Sequence, residues 1–392
     1  MPYKNLKKSR MMNQNNMLLK NALCFIDGAF FKKDIFVLNG KIADFKKSCC
    51  GFDNLEVIDC HGAFLLPGFI DIHTHGANGV DVNRATTEDF EKISSFFASK
   101  GTTAFLASVL TDSEENTLHI LSNIARYMIS GVSGAALLGA HLEGPFLSPA
   151  KKGAMPEQYL RSADQALFER YFNTGAVKYI TVAPEIEGVQ SLIQYASKKV
   201  TVAIGHSAAD YNTALQAVKN GAMVSTHTFN AMQGIDRTEP SILGACIDTD
   251  IYNEIIADGR HVHPANIRML YRLKGNKRVI AITDSIEATG LPDGAYHLGA
   301  NDVTLSGADA FITGTNIRAG SVLTVNNALK NLMRFLGISL EEAVPMLTEN
   351  PADVLHLNKG YIRIGYDADF VLMGKDYTVL KTIVGGRVVY SA

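Results

Sequence analysis

The apolar positions change their period twice along the chain. From Asn21 to about Leu66, short runs alternate apolar and polar residues and are punctuated by glycine, as in ALCFID, DIFVLNGKIADF and LEVIDCHGAFLLPG. A period of two turns one face of a strand inward, and glycine at this spacing marks hairpins. The C-terminal run GYIRIGYDADFVLMGKDYTVLKTIVGGRVVY has the same character. The two blocks predict one small β-sandwich domain built from both termini, residues 21–66 and 363–392, with residues 1–20 as a flexible polar tail.

Between them, over residues 67–362, short apolar runs alternate with amphipathic helical stretches. The runs are GFIDIH, TTAFLAS, AALLGAHLE, KYITVAP, VTVAIGH, AMVSTH, IYNEIIAD and KRVIAITD. Strand and helix in strict alternation predict a parallel sheet, and eight such units predict a (β/α)8 TIM barrel. In the helical stretch TEDFEKISSFFASKG, Thr87 is the expected N-cap and Gly101 the residue just past the C-cap. AADYNTALQAVKNG reads as another helix, and SLEEAVPMLTEN opens with a capping box from Ser339 to Glu342.

Composition narrows the function classes. The 392 residues are 47% hydrophobic, enough for a large core. The 37 basic and 39 acidic residues leave a formal charge of −2, which gives no long-range pull toward nucleic acid or an anionic membrane. An anionic ligand must therefore have its charge met locally. No run approaches the roughly 18 apolar residues of a membrane span. MPYKNLKKSRMMNQNNM has no apolar segment of the kind a secretory signal carries, so a cytoplasmic location is expected. Five cysteines (Cys24, Cys49, Cys50, Cys60 and Cys246) with no CxxC spacing fit reduced thiols.

The chemistry gathers at the strand ends. The first predicted strand ends in His73-Thr74-His75, the third in His141-Leu142-Glu143 and the fifth in Gly205-His206-Ser207. The sixth ends in Thr226-His227 and the eighth in Thr283-Asp284. In a barrel these positions share the C-terminal rim, where such enzymes carry their active sites. Residues i and i+2 of a strand face the same way, so His73 and His75 point together into the mouth. One histidine at a strand end is more often a core or surface residue; five strands ending in imidazole or carboxylate point to a centre for zinc or another first-row divalent ion. Such an ion lowers the pKa of water from about 15.7 to about 7 and polarises a carbonyl. A neighbouring carboxylate such as Asp284 can take the water's proton and return it to a leaving amine. The implied reaction is hydrolysis of an amide or a similar C–N bond.

PGFIDIHTHG (67–76), HLEGPF (141–146) followed by KKGA, GHSAA (205–209), THTFNAM (226–232), DGRHVHP (258–264) and the run from TDS (283–285) to GLPDGAY occur in this order. In them the chain, from about Asn21 to its C-terminus, resembles the amidohydrolase superfamily and, within it, the N-acetylglucosamine-6-phosphate deacetylases. The resemblance implies the same barrel with a two-termini β-sandwich. It implies removal of acetate from N-acetyl-D-glucosamine 6-phosphate in amino-sugar catabolism, with the galactosamine epimer as the alternative substrate. By the same resemblance Glu143, His206 and His227 hold a principal metal, His73 and His75 complete a second site, and Asp284 is the general acid/base. The ion is expected to be zinc, with iron, manganese or cobalt as alternatives, one or two per subunit. Asn230 and Ala231 would hold the sugar phosphate, His261 a sugar hydroxyl, and Arg318, Ala319 and Gly320 would close over the substrate, with Ala154 among its contacts. Such relatives are usually homo-oligomers, so a homodimer or homotetramer is expected.

Two other readings are weaker. Cyclic-amide hydrolases and deaminases of the wider superfamily often carry a bridging lysine near the end of the fourth strand; here that strand ends Ala183-Pro184-Glu185, while Glu143 can bridge instead. A non-catalytic barrel protein would be expected to lose ligands that this chain keeps.

Three positions depart from the deacetylase pattern. Met155 stands where a substrate-holding histidine is usual. Arg237 falls one residue early, with Thr238 in the place of the phosphate-side arginine. Glu287 adds a carboxylate near Asp284 and is expected to face solvent. Lys151 and Lys152 are further candidate cations for the phosphate. Ser321 is read as a cap for the helical run VLTVNNALKNLMRFLG, whose first N–H groups would suit an anion.

Overall fold

The computed structural model describes residues 15–45, 55–130 and 133–392; Cys49 and Cys50 lie outside the described residues. The chain opens with five strands, β1 (Met17–Ile26), β2 (Ala29–Leu38), β3 (Lys41–Asp44), β4 (Glu56–Asp59) and β5 (Phe64–Pro67). Residues 17–20, expected in the tail, belong to β1. Met17 and Leu19 are fully buried, and this apolar start outweighs the polar text before it.

The barrel follows. β6 (Phe69–Thr74) leads through a small ribbon, β7 (Gly76–Ala77) and β8 (Val80–Asp81), to α1 (Asp89–Ser99). Then come β9 (Thr102–Leu110), α2 (Glu114–Ser130), β10 (Ala136–Glu143), α3 (Gln165–Phe172), β11 (Val177–Val182) and α4 (Val189–Ala196). The series ends with β12 (Thr201–Ile204), α5 (Tyr211–Lys219), β13 (Val224–Ser225), α6 (Ser241–Asp248), β14 (Tyr252–Ile256), α7 (Pro264–Lys274) and β15 (Val279–Ile282). Each of the eight apolar runs singled out in the sequence overlaps one barrel strand, and the strands pair in parallel in chain order, β6-β9-β10-β11-β12-β13-β14-β15. All nine positions of β9 are buried, as a parallel strand covered on both faces requires.

β6 and β15 close the barrel at their C-terminal ends. The Asp284 N–H donates to the His73 carbonyl (2.9 Å) and the His75 N–H to the Ser285 carbonyl (2.7 Å). Lower in the seam the Thr283 hydroxyl donates to the buried Asp71 carboxylate (2.5 Å). Closure thus runs through the residues expected to do chemistry.

After β15 a three-stranded antiparallel insertion, β16 (Gly294–Leu298), β17 (Asn301–Ser306) and β18 (Asp309–Ile312), rises over the rim. The eighth barrel helix, α8 (Val325–Leu336), precedes the short α9 (Leu340–Ala343) and α10 (Glu349–Val354). The chain then returns through β19 (Phe370–Met373), β20 (Val379–Val384) and β21 (Arg387–Ser391). These join the opening strands in one mixed sheet of order β21-β20-β19-β5-β1-β2-β3, with β4 beside β1. Ile42 of β3 and Ile383 of β20, far apart in that order, share one core with Met17, Leu19 and Phe370. The sheet therefore folds over itself as a sandwich.

The capping box of α9 forms as read, between Ser339 and Glu342, and Gly101 follows the C-cap of α1 with φ +87°. At the other end of α1 the residue before the helix is Glu88, which makes no side-chain cap, and Thr87 does not cap it either. Thr86, not Thr87, exchanges hydrogen bonds with Asp89 (3.1 and 3.2 Å). Among the described residues no helix is long and apolar enough to cross a membrane.

Candidate metal centre

Five strand ends deliver six side chains to one point. Glu143 is the last residue of β10; His73 lies in β6 with His75 just beyond it; His206, His227 and Asp284 follow β12, β13 and β15. All six are buried. His206 (φ 47°), His227 (φ 26°) and Asp284 (φ 51°) take left-handed backbone conformations that non-glycine residues avoid. Each costs about 1–3 kcal/mol and persists because the surrounding structure imposes it. At Gly205, just before one of these turns, a Cβ would lie 2.7 Å from that of Thr226. Only glycine lets the chain pass.

Glu143 sits at the centre. Its Oε1 is 3.1 Å from both His206 Nε2 and His227 Nε2, which are 2.9 Å apart. On the other side His73 Nε2 lies 3.4 Å from Oε1, His75 Nε2 lies 3.2 Å from Oε2, and the two nitrogens are 3.3 Å apart. Ligands about 2.0–2.1 Å from a tetrahedral zinc ion are roughly 3.3 Å from one another, so both triangles have the dimensions of a first-row metal's ligand face. The described residues thus offer two ligand groups, His73-His75-Glu143 and Glu143-His206-His227, with Glu143 common to both. Asp284 Oδ1 stands 3.2 Å from His75 Nε2 and 3.5 Å from His73 Nε2, at the edge of the first group.

The outer nitrogens show which ring atoms face inward. His75 Nδ1 meets the Ser108 carbonyl (3.1 Å), His206 Nδ1 the Lys151 carbonyl (3.0 Å) and His73 Nδ1 the Glu254 carboxylate (3.0 Å). A carbonyl or carboxylate accepts only from N–H, so these rings carry hydrogen on Nδ1 and turn the Nε2 lone pair to the centre. That is how ligating histidines are held. Among the described residues, buried His227 Nδ1 has no such partner. The donor set therefore fits a divalent cation.

The electrostatics agree. Burial opposes charge on Glu143, yet the facing imidazoles of His73, His206 and His227 hold its carboxyl well below the usual range. Burial works against a charged His75 too, but Asp284 and Glu143 raise it to about 9. His73 is lifted well above its ordinary value against the same penalty, first by Glu143 and then by Glu254. Asp284, despite burial, is lowered by His75 and His73 and stays ionised. Buried carboxylates that demand positive charge are met as well by a dication as by imidazolium.

Residues 64–389 match the model of the amidohydrolase family. The chain belongs to that family. Curated relatives of this amidohydrolase include the N-acetylglucosamine-6-phosphate deacetylase of Bacillus subtilis, 36% identical over 335 residues, 83% of this chain and 84% of the relative. The enzyme of the same name from Vibrio furnissii is 36% identical over 95% of this chain and 96% of its own. A solved N-acetyl-D-glucosamine-6-phosphate deacetylase from Mycobacterium smegmatis, in complex with N-acetyl-D-glucosamine-6-phosphate, superposes with a TM-score of 0.88 at 30% identity. The match covers 96% of this chain and all of that one. The family is metal-dependent, in keeping with the two ligand groups.

Above the centre the amidohydrolase opens a cavity of about 200 Å³. His75, Glu143, His206, His227 and Asp284 line its floor; Ala154, Asn230, Ala231, His261 and Arg318 line its walls. All ten are residues singled out in the sequence, and His73 lies just beneath. Ala319 is fully buried behind the wall, its N–H donated to the Ala310 carbonyl.

Other residues singled out in the sequence lie elsewhere. Arg237 and Thr238 do not line the cavity of this chain. They lie in an exposed loop, where Asp236 Oδ1 accepts from the Thr238 N–H (3.0 Å) and hydroxyl (2.8 Å) and closes a surface turn. Lys151 and Lys152 are also absent from the lining. Ser321 caps no helix, since α8 begins behind Thr324; its hydroxyl donates to the Thr283 carbonyl (2.6 Å) and its N–H to the Asp284 carbonyl (2.7 Å). Glu287 turns back to accept the His297 N–H (2.6 Å).

The sequence reading passed over Glu254, fully buried in β14, which accepts from His73, from the His227 N–H (2.9 Å) and from the Tyr179 hydroxyl (2.7 Å). Its signal was a lone acid within the apolar run IYNEII. Leu110, Leu298 and Met155 make the apolar part of the wall. Met155, at 2% exposure, packs there among Leu147, Ile286 and Ala319.

Proposed function

We propose that this amidohydrolase hydrolyses the amide of N-acetyl-D-glucosamine 6-phosphate, releasing acetate and glucosamine 6-phosphate. The observation that carries the reading is the pair of ligand groups sharing Glu143, with ionised Asp284 beside them at the floor of a cavity lined by Asn230, Ala231, His261 and Arg318. Glu143, His206 and His227 hold the principal ion, and His73 and His75 complete a second site. Zinc is the ion these nitrogen and oxygen donors suit best, with iron, manganese and cobalt as the alternatives. When bound, it lowers the pKa of water and polarises the substrate carbonyl.

The residues of the chain supply the rest. Asp284, at the edge of the His73-His75-Glu143 group, takes a proton at its carboxylate as water attacks the acetyl carbon. It returns that proton to the sugar nitrogen as the C–N bond breaks, so that the amine leaves neutral. His261, its Nδ1 anchored on Asp258 Oδ2 (2.6 Å), aims Nε2 at a sugar hydroxyl. Asn230 and Ala231 hold the sugar phosphate, and Arg318 adds a positive charge from the wall, beside Ala154 and Ala319. With Arg237 and Thr238 outside the cavity of one subunit, the phosphate is held mainly from these walls, or by a neighbouring copy in a homodimer or homotetramer. The enzyme works in the cytoplasm, in amino-sugar catabolism.

The test is acetate release by the metal-loaded protein from three compounds side by side: N-acetylglucosamine 6-phosphate, its galactosamine epimer and unphosphorylated N-acetylglucosamine. Strong preference for the first is expected. Turnover of none of them by protein that holds its metal would remove the assignment and leave an amidohydrolase of another amide.

A further inference from the structure

α8 places Asn327, Lys330, Asn331 and Arg334 at positions i, i+3, i+4 and i+7, one face of the helix, and buries Val325, Ala328, Leu329 and Leu332 on the other. The polar face lines an open groove of about 420 Å³, completed by Arg260 and Asp258. This is separate from the catalytic cavity and of a size that suits a small molecule. Lys330 and Arg334, like charges one turn apart, oppose the helix unless something negative faces both. Among the described residues neither forms an ion pair: Arg334 donates to Asn331 Oδ1 (3.0 Å) and lies over the Phe335 ring. Asp376, which feels the charge of Lys330, is exposed and binds Thr378. Nor is Asp258 free to answer them, because its Oδ1 accepts the N–H groups of Arg260 and His261 and its Oδ2 holds the His261 ring.

The groove also touches the catalytic cavity through one carboxylate. Asp309 of β18 pairs with Arg260, which lines the groove, through one oxygen and with Arg318, which lines the cavity, through the other. We propose that the groove is a second anion site, for the phosphate group of a small phosphate monoester, and that the Arg260–Asp309–Arg318 bridge reports its occupancy to the catalytic cavity. A phosphate dianion among Arg260, Lys330 and Arg334 draws Arg260 away from Asp309. Asp309 then holds Arg318 alone and more tightly, and Arg318 is less available to substrate. The kinetic part of this inference rests on the deacetylase reading; the binding part does not.

Both parts are tested on the full-length, metal-loaded protein. Calorimetric titration with glucose 6-phosphate, and separately with inorganic phosphate, counts sites per chain in wild type and in the Lys330→Ala/Arg334→Ala double variant. The wild type is expected to bind at one more site than the double variant, and Lys330→Gln, which keeps the helix and the stem, to weaken that site about tenfold or more. Equal affinity for the two probes assigns the site to the phosphate group alone; tighter glucose 6-phosphate assigns it to the monoester. In turnover assays without effector the double variant keeps wild-type kcat and KM, while glucose 6-phosphate raises the wild-type KM about fivefold more than the variant's. Equal site counts in the two proteins overturn the site. One extra site in the wild type, with an identical KM response in both proteins, overturns the coupling.

Discussion

Glu254 is the most informative residue to alter, because it touches no substrate and yet ties two ligand-bearing strands together. Its Oε2 accepts from His73 Nδ1–H (3.0 Å) and from the His227 N–H (2.9 Å), and its Oε1 from the Tyr179 hydroxyl (2.7 Å). Glu254→Gln keeps the volume. The amide oxygen can stay opposite the two N–H donors while the amide nitrogen turns to Tyr179, whose hydroxyl then accepts. The geometry survives; the charge does not. A hydrogen bond to an ionised acceptor is roughly twice as strong as a neutral one, so the His73 ring loses much of the support that makes Nε2 a good donor. Loss of such a partner behind a ligand typically weakens metal binding about 10–100-fold, which is about 1.4–2.7 kcal/mol. The assay is a chelator-competition titration of the apo-protein with zinc, set beside Tyr179→Phe, which removes one neutral donor and is expected to cost about 1 kcal/mol or less. An affinity for Glu254→Gln within twofold of wild type would refute the reasoning.

The seam between sandwich and barrel is a second place to press. Lys359 Nζ pairs with Asp367 (2.8 Å) and with Asp369 (2.6 Å), whose side chain is 1% exposed, so Lys359→Ala leaves a buried carboxylate short of its cation and is expected to cost about 3 kcal/mol in denaturant unfolding. Despite burial, Lys359 and Lys41 hold Asp367 below its ordinary value, and Asp369 and Asp367 raise Lys359 above its own. The Asp367 contribution is therefore fully present above the ordinary carboxylate pKa of about 4 and is lost as pH falls through the depressed value. The Lys359 contribution is present below the ordinary lysine pKa of about 10.4 and is lost as pH rises through the raised one. Melting temperature against pH should fall more steeply at the acid end in wild type than in Lys359→Ala. Gly320→Ala probes the proposed base: at φ +57° its Cβ would lie 2.5 Å from Ile286 Cγ2 and 2.8 Å from the Asp284 carbonyl oxygen. A displaced Asp284 should lower kcat about 100-fold with metal content unchanged.

The barrel was legible because its strands are short apolar runs of the right length between amphipathic helices, and because closure forces their ends onto one rim. His73, His75, Glu143, His206, His227 and Asp284 could be picked out together for the same reason, since five strand ends carrying imidazole or carboxylate meet there, although no one of them would have sufficed. What escaped depends on distant contacts. Glu254 sits inside a strand, and its partners come from β6, β11 and the turn after β13. The left-handed turns at His206, His227 and Asp284 leave no mark in residue type, and only Gly205 hints at the crowding. The β16–β18 insertion, which brings Leu298 and Asp309 to the rim, hides behind turn residues such as Pro292-Asp293-Gly294. Arg237 lies away from the cavity of its own chain because a loop position counted along the sequence does not tell which way the loop leans; Asp236 folds it outward.

Asp284→Asn tests the central claim most directly. Asparagine keeps the shape and removes the proton acceptor, while Glu143, His206 and His227 are untouched. Metal content per chain and acetate release from N-acetylglucosamine 6-phosphate are measured on the same preparation. The expected result is the principal ion retained and kcat lower by at least about 100-fold. Turnover near the wild-type rate with metal in place would contradict it and remove Asp284 from the reaction.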